Sequence, residues 1–162
     1  MSEYLGDTTS SASEKPGRFG TVLTLTTARK MLPLVRHIVE SILSARQELT
    51  KLLPEQIRLE RCRRNLPWAE RARRYQLQDD IDACEKNIQV AIAELESLGV
   101  TLLDEETGRV GFPTRVNSRK AYFSWTPEQD TLIEWHYADD NTLRKIPANW
   151  VDPKPRRSRR KG

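Results

Sequence analysis

The chain has little from which to build a metal centre or a disulfide framework. Its 162 residues include 2 cysteines and 2 histidines. Cys62 and Cys84 are separated by 21 residues and form no CxxC pair, so neither zinc-ligand spacing nor a bridged scaffold is expected, and no cofactor or metal set is predicted. Two reduced thiols point to a cytoplasmic location. The chain also lacks any apolar run approaching the roughly 18 residues needed to span a bilayer. Its first residues, MSEYLGDTTSSASEKPGRFG, show no basic segment followed by an apolar one. No membrane partner is expected.

Charge is plentiful and uneven. Charged residues make up 31% and hydrophobic ones 37%, a polar balance that suits long solvated helices with narrow apolar stripes. Residues 58–74 carry 7 basic and 2 acidic groups and residues 151–162 carry 6 and 1, while residues 75–150 carry 7 basic and 14 acidic. Two basic patches on an acidic body can attract a polyanion.

Period decides the architecture. Thr24 is placed as an N-cap, with Leu23 and Ala28 as a hydrophobic staple, so a helix should begin near Leu25. From Met31 through Val35, Ile38, Ile42, Ala45, Leu49, Leu52, Gln56 and Leu59, spacings of four and three alternate as a heptad seam. Pro33 and Pro54 predict a kink each, or a break with Pro54 opening a new segment. A second seam, Leu77, Ile81, Cys84, Ile88, Ala91, Leu95 and Leu98, stops at Gly99. Asn65-Leu66-Pro67 lies between them, so the helices should reverse there as an antiparallel coiled-coil-like hairpin, opposed residues summing to about 133. Cys84 then faces Leu49 as a small packed group. Extra apolar residues, including Leu34, Val39, Leu43, Val90 and Ile92, gather at one end and should pack on the rest of the chain.

Beyond residue 100 the period shortens. Val100 to Asp104, Arg109 to Phe112, Ala121 to Trp125 and Thr131 to Tyr137 read as strands, with turns at Glu105 to Gly108 and at Asn117-Ser118. Ile133, Trp135 and Tyr137 share one face of the last strand and Leu132, Glu134 and His136 the other. The predicted fold class is α+β: a long antiparallel helical hairpin packed at one end on a small antiparallel sheet. The domain is drawn over 22–150, with the hairpin at about 25–98 and the β portion at about 100–137. Residues 1–21 and a basic 151–162 are expected to be disordered tails.

LTLTTARKMLPLV (Leu23 to Val35), ELESLGV (Glu94 to Val100), GRVGFP (Gly108 to Pro113), Trp125, and WHYAD (Trp135 to Asp139) with Lys145 and Pro147 form an ordered set. In this set the chain resembles a bacterial uncharacterised family catalogued as domain of unknown function 2203, over roughly residues 22–147. The resemblance implies a small domain with a helical front and a β-containing back, and no established activity, cofactor or substrate. It also implies an acid where this chain has Gly111, a cysteine at Ser124 and a basic residue at Thr126.

The candidate sites each have two interpretations. His136, with Asp139 or Asp140, has the chemistry of a general base or metal ligand, but no convergent ligand set accompanies it; a ring bonded to a carbonyl or carboxylate at the strand's exit is the preferred expectation. Trp125 and Trp135 either close a core or, with His136, line a ligand pocket. His37 and Glu40 are expected to be a solvated pair. Arg63, Arg64, Arg73 and Arg74 at the hairpin tip, near Trp68, and Arg156, Arg157, Arg159, Arg160 and Lys161 in the tail are the nucleic-acid-binding candidates. The preferred function is a non-enzymatic interaction module that forms a homodimer and weakly binds nucleic acid, an acidic protein or another polyanion. The alternative is a small enzyme or ligand-binding protein with a pocket around Trp125, Trp135 and His136.

Overall fold

A computed structural model describes residues 22–150. The tail positions named above, from Arg156 to Lys161, lie outside those residues. Thr24 opens α1 (Leu25–Arg61): its Oγ1 accepts a 3.2 Å bond from the Thr27 backbone, and Leu23 and Ala28 are both buried beside it. The helix runs through Pro33 and Pro54 without a break, contrary to the alternative of a fresh start at Pro54. Both prolines are exposed, so water can satisfy the carbonyls that lose their helical donors.

A short 3₁₀ turn, Arg63–Asn65, and buried Leu66 reverse the chain into α2 (Trp68–Ser97). Gln56 Nε2 donates to Gln78 Oε1 at 3.0 Å, and Arg74 Nε donates to Glu60 Oε1 at 2.7 Å. Each pair sums to 134, one from the register expected of the seams. Leu77, Ile81, Ile88, Ala91 and Leu95 are buried along α2, and Cys84 is half-buried. Desolvation pushes the Cys84 thiol pKa up, in keeping with its packed position. α2 ends in a Schellman motif: Gly99 has φ +80°, its N–H bonds Glu96 O at 3.0 Å, and the Val100 N–H bonds Leu95 O at 3.0 Å.

The sheet is an antiparallel meander of β1 (Thr101–Asp104), β2 (Arg109–Val116), β3 (Arg119–Trp125), β4 (Glu134–Tyr137) and β5 (Arg144–Lys145), each strand beside its chain neighbour. β2 extends four residues beyond the expected Phe112, through Pro113. The proline is tolerated because β1 ends its pairing at Gly111. Pro113 O instead accepts from Leu23 N at 2.8 Å, on the side away from β3, so the missing N–H would have served no ladder bond. The turn between β2 and β3 holds Asn117 at φ 51° and Ser118 at φ 62°, a type I′ hairpin. β4 is shorter than expected. Before it, Leu132 is fully buried and Ile133 half-exposed, the reverse of continued alternation, because the loop tucks Leu132 under α1. β5 was not foreseen.

Two apolar clusters hold the molecule together. The larger joins α1 from Leu25 to Ile42, the end of α2 and one face of the sheet through Val110, Phe112, Phe123, Trp125 and Trp135. The smaller, Leu59, Leu66, Leu77 and Ile81, fastens the far end of the hairpin. Each fully buried aliphatic chain contributes about 1.5–3 kcal/mol, so the far end rests on far less than the near one. Leu34 and Val90, expected beneath the sheet, remain half-exposed. In the observed register Leu34 is level with residue 100, past the end of α2 at Ser97, and no part of that helix covers it.

Candidate interaction surface

The sheet separates the residues that sequence grouped into one pocket. Phe123 pairs with Trp135 and Tyr122 with His136, so alternation sends Trp125, Trp135 and Tyr137 toward the helices and His136 to the opposite face. Cavities of 440, 460, 480 and 500 Å³ lie elsewhere, and none is lined by Trp125, Trp135 or His136. His136 is 5% exposed, its ring centroid 5.7 Å from that of Tyr122. Its Nδ1 lies 2.8 Å from Tyr137 O. A carbonyl can only accept, so Nδ1 carries a proton, and in the neutral ring the lone pair is on Nε2. The two acids after it are turned to other partners. Asp139 is 3.0 Å from Arg119, whose guanidinium stands 3.8 Å over Tyr137 on the helix-facing side. Asp140 accepts from the Thr142 amide and hydroxyl, which hold its carboxyl below the usual carboxylate range. Among the described residues no carboxylate is bonded to the imidazole, and no group of three His, Cys, Asp or Glu could hold a metal.

On the helix-facing side both tryptophans are packed in the larger apolar cluster. Trp125 is fully buried, its Nε1 bonded to Gln129 O at 2.9 Å. Arg36 lies 5.0 Å from its ring and donates to Pro127 O and Gln129 O at 3.0 and 2.9 Å, while Arg29 donates to Leu132 O at 3.1 Å. These two arginines, a heptad apart on α1, lace the β3–β4 loop to the helix. Sequence reasoning passed over both. Trp135 meets Tyr137 edge-on at 4.9 Å and Trp150 at 5.2 Å, with Arg144 5.4 Å from its ring.

The exposed chemistry is at the hairpin tip. Three of its four candidate arginines are already paired: Arg73 with Glu55 at 2.9 Å in a two-pronged contact, Arg74 with Glu60, and Arg63 with Glu60 at 3.9 Å. The Arg73 guanidinium lowers the Glu55 pKa, and Glu60 raises that of Arg74. Arg58 reaches Glu70 at 3.6 Å. The count of 7 basic to 2 acidic groups over residues 58–74 leaves out Glu55, one turn outside them. Arg64 alone of the four is exposed and without an ion pair among the described residues.

Beside these pairs lies an apolar strip. Trp68 is 80% exposed, Tyr75 66%, Ile57 51% and Leu53 37%. The Gln56–Gln78 and Glu60–Arg74 bonds mark one flank of the hairpin, and Ile57 and Tyr75 follow directly on it. Trp68 is a heptad before Tyr75 on the same side of α2. Leu53 and Ile57 lie about five full turns along α1 from Val35 and Val39, which are fully buried in the main core. The strip is therefore the bare continuation of the flank that the sheet covers. Where the sheet stops, a 460 Å³ groove has an apolar floor of Leu49 and Ile88 and is bordered by Asp82, Glu85 and Glu105.

A family model described as Uncharacterized conserved protein (DUF2203) matches residues 21–144. The chain belongs to that family. No curated protein and no solved structure matches it. In this DUF2203 chain two departures from the expected pattern are neighbours in space: Gly111 and Ser124 are directly paired across β2 and β3, on the face that holds His136. The Tyr122 ring lies over Gly111, where an added Cβ would come within 2.7 Å of it. Of the three, Tyr122 is the one paired with His136; Ser124 pairs with Glu134. The match contains the hairpin tip and its apolar strip. No helix among the described residues is long and apolar enough to cross a membrane.

Proposed function

We propose that the protein is a non-enzymatic interaction module that docks another protein on the uncovered flank of its helical hairpin. One observation carries this reading: Trp68, Tyr75, Ile57 and Leu53 are all exposed along the flank whose other half is already buried under the sheet. Large aromatic and aliphatic side chains gathered on one surface, with arginines at the margin, have the composition of binding hot spots. The ion pairs of Arg63, Arg73 and Arg74 favour a protein partner over nucleic acid at the tip, since arginines already neutralised by glutamates release few counterions from a phosphate backbone.

A photo-crosslinking residue placed at Trp68 or Tyr75 in the full chain, in its native cell, tests the reading. Defined protein adducts are expected from both sites and not from Asn87 on the other flank. Equal labelling at all three sites, or none at 68 and 75, would sink it.

A further inference from the structure

We infer that the protein seated on this flank is a second copy of the same chain, in an antiparallel, two-fold arrangement that places Trp68 of each copy in the other's groove between Leu49 and Ile88. This inference rests on the interaction-module reading and names its partner. The strip and the groove lie on one flank of one hairpin and complement each other. The strip offers an indole near the exposed Arg64; the groove offers an apolar floor bordered by Asp82, Glu85, Lys86 and Gln89, with Glu105 beyond them paired to Arg46 at 2.9 Å, so Asp82 and Glu85 are the acids it presents. Charge along the hairpin reverses in the same sense. Residues 55–74 carry 7 basic and 3 acidic groups, so the tip stays net positive after its ion pairs, whereas residues 78–86 carry four acids and one base. A parallel pairing would oppose basic tip to basic tip. An antiparallel pairing lays each basic tip on the other copy's acidic stretch and against its Asp104 to Glu106 turn.

The geometry closes on itself. A two-fold interface requires that if residue i meets residue j, j meets i. Trp68 reaching the groove near Glu85 puts the axis beside Tyr75 and Gln76. Ile57 lies at that level in the hairpin register, so Tyr75 and Ile57 of the two copies meet at the axis. Arg64, in the turn just past α1 and about level with Glu70, then falls near Asp82 and Glu85 of the second copy. Neither Arg64 nor Glu85 has an ion pair within its own chain among the described residues.

Sedimentation equilibrium of the purified full chain, from low to high micromolar concentration, tests the inference, with circular dichroism to check that helicity is retained. Wild type is expected to dimerise, and Trp68→Ala to weaken the dimer at least about tenfold with helicity unchanged. Glu85→Arg alone should also weaken it, and adding Arg64→Glu should restore association, a rescue that loss of folding cannot mimic. A monomer at every concentration would overturn the inference, as would a dimer indifferent to Trp68→Ala or a Glu85→Arg defect that Arg64→Glu leaves unrepaired. If the purified chain is monomeric while the crosslinker at Trp68 captures a different protein, the second copy is excluded and the interaction module stands. If neither occurs, both fail.

Discussion

His136 is held by a hydrogen bond from Nδ1 to the neighbouring carbonyl of Tyr137 and by its contact with the Tyr122 ring. Both contacts fix the exit of β4. His136→Ala should therefore lower stability by about 1–3 kcal/mol, through the lost bond and the gap beside Tyr122. A urea midpoint measured by circular dichroism checks this, and an unchanged midpoint would return His136 to the list of functional candidates. The direction of this side chain was legible in the sequence because strand alternation needs only local information. Arg29 and Arg36 were not. Their acceptors are backbone carbonyls about a hundred residues on, and nothing in a helical arginine's neighbours announces a distant loop. The tip arginines were misjudged for a related reason. Seam periodicity gives which residues face each other across the helices, but salt bridges form on the flanks, where Glu55 meets Arg73 outside the seam register.

Helices and tight turns were readable because each is specified within a few residues. Thr24 as a cap, Gly99 as a stop and Asn117-Ser118 as a turn all stand where expected. Elements that depend on neighbours were not readable: β5 exists through its pairing with β4, and the extension of β2 through Pro113 depends on Leu23 occupying the place β1 leaves empty. The β1–β2 turn supplies a test at this scale. Gly108 has φ +73°, and a Cβ there would lie 2.7 Å from Val39 Cγ1 and 3.2 Å from Leu43 Cδ1. Gly99 has φ +80° with nothing within 4 Å. Both Gly→Ala changes incur left-handed backbone strain of roughly 1–2 kcal/mol. Gly108→Ala must also push the turn away from α1, adding about 1–3 kcal/mol. Thermal melts should therefore rank wild type above Gly99→Ala and Gly99→Ala above Gly108→Ala. Equal losses would mean that the turn does not bear on the helix.

Over the whole molecule, stability is divided unequally between the two clusters. The near half of the hairpin shares its core with the sheet; the far half depends on Leu59, Leu66, Leu77, Ile81 and flanking ion pairs that are largely solvated. Surface pairs of that kind add little, typically below about 1 kcal/mol each. The far end should therefore open without the sheet, as a local unit of lower free energy. Hydrogen exchange read by mass spectrometry should find amides of residues 50–80 exchanging well before those of residues 28–42 and of β2 and β3. Leu77→Ala removes a fully buried side chain and should cost about 2–5 kcal/mol at that site. Exchange at the far end should accelerate accordingly, with the sheet unaffected until the whole chain unfolds. The same measurement bears on the partner, because a second copy lying on the strip stabilises only the state in which the strip is formed. Protection at the far end should then rise with protein concentration in wild type and stay flat in Trp68→Ala, while the sheet's protection remains constant in both. A uniform rise across the molecule would show association without the hairpin flank. Simultaneous exchange of both halves would show that the small cluster is not an independent unit.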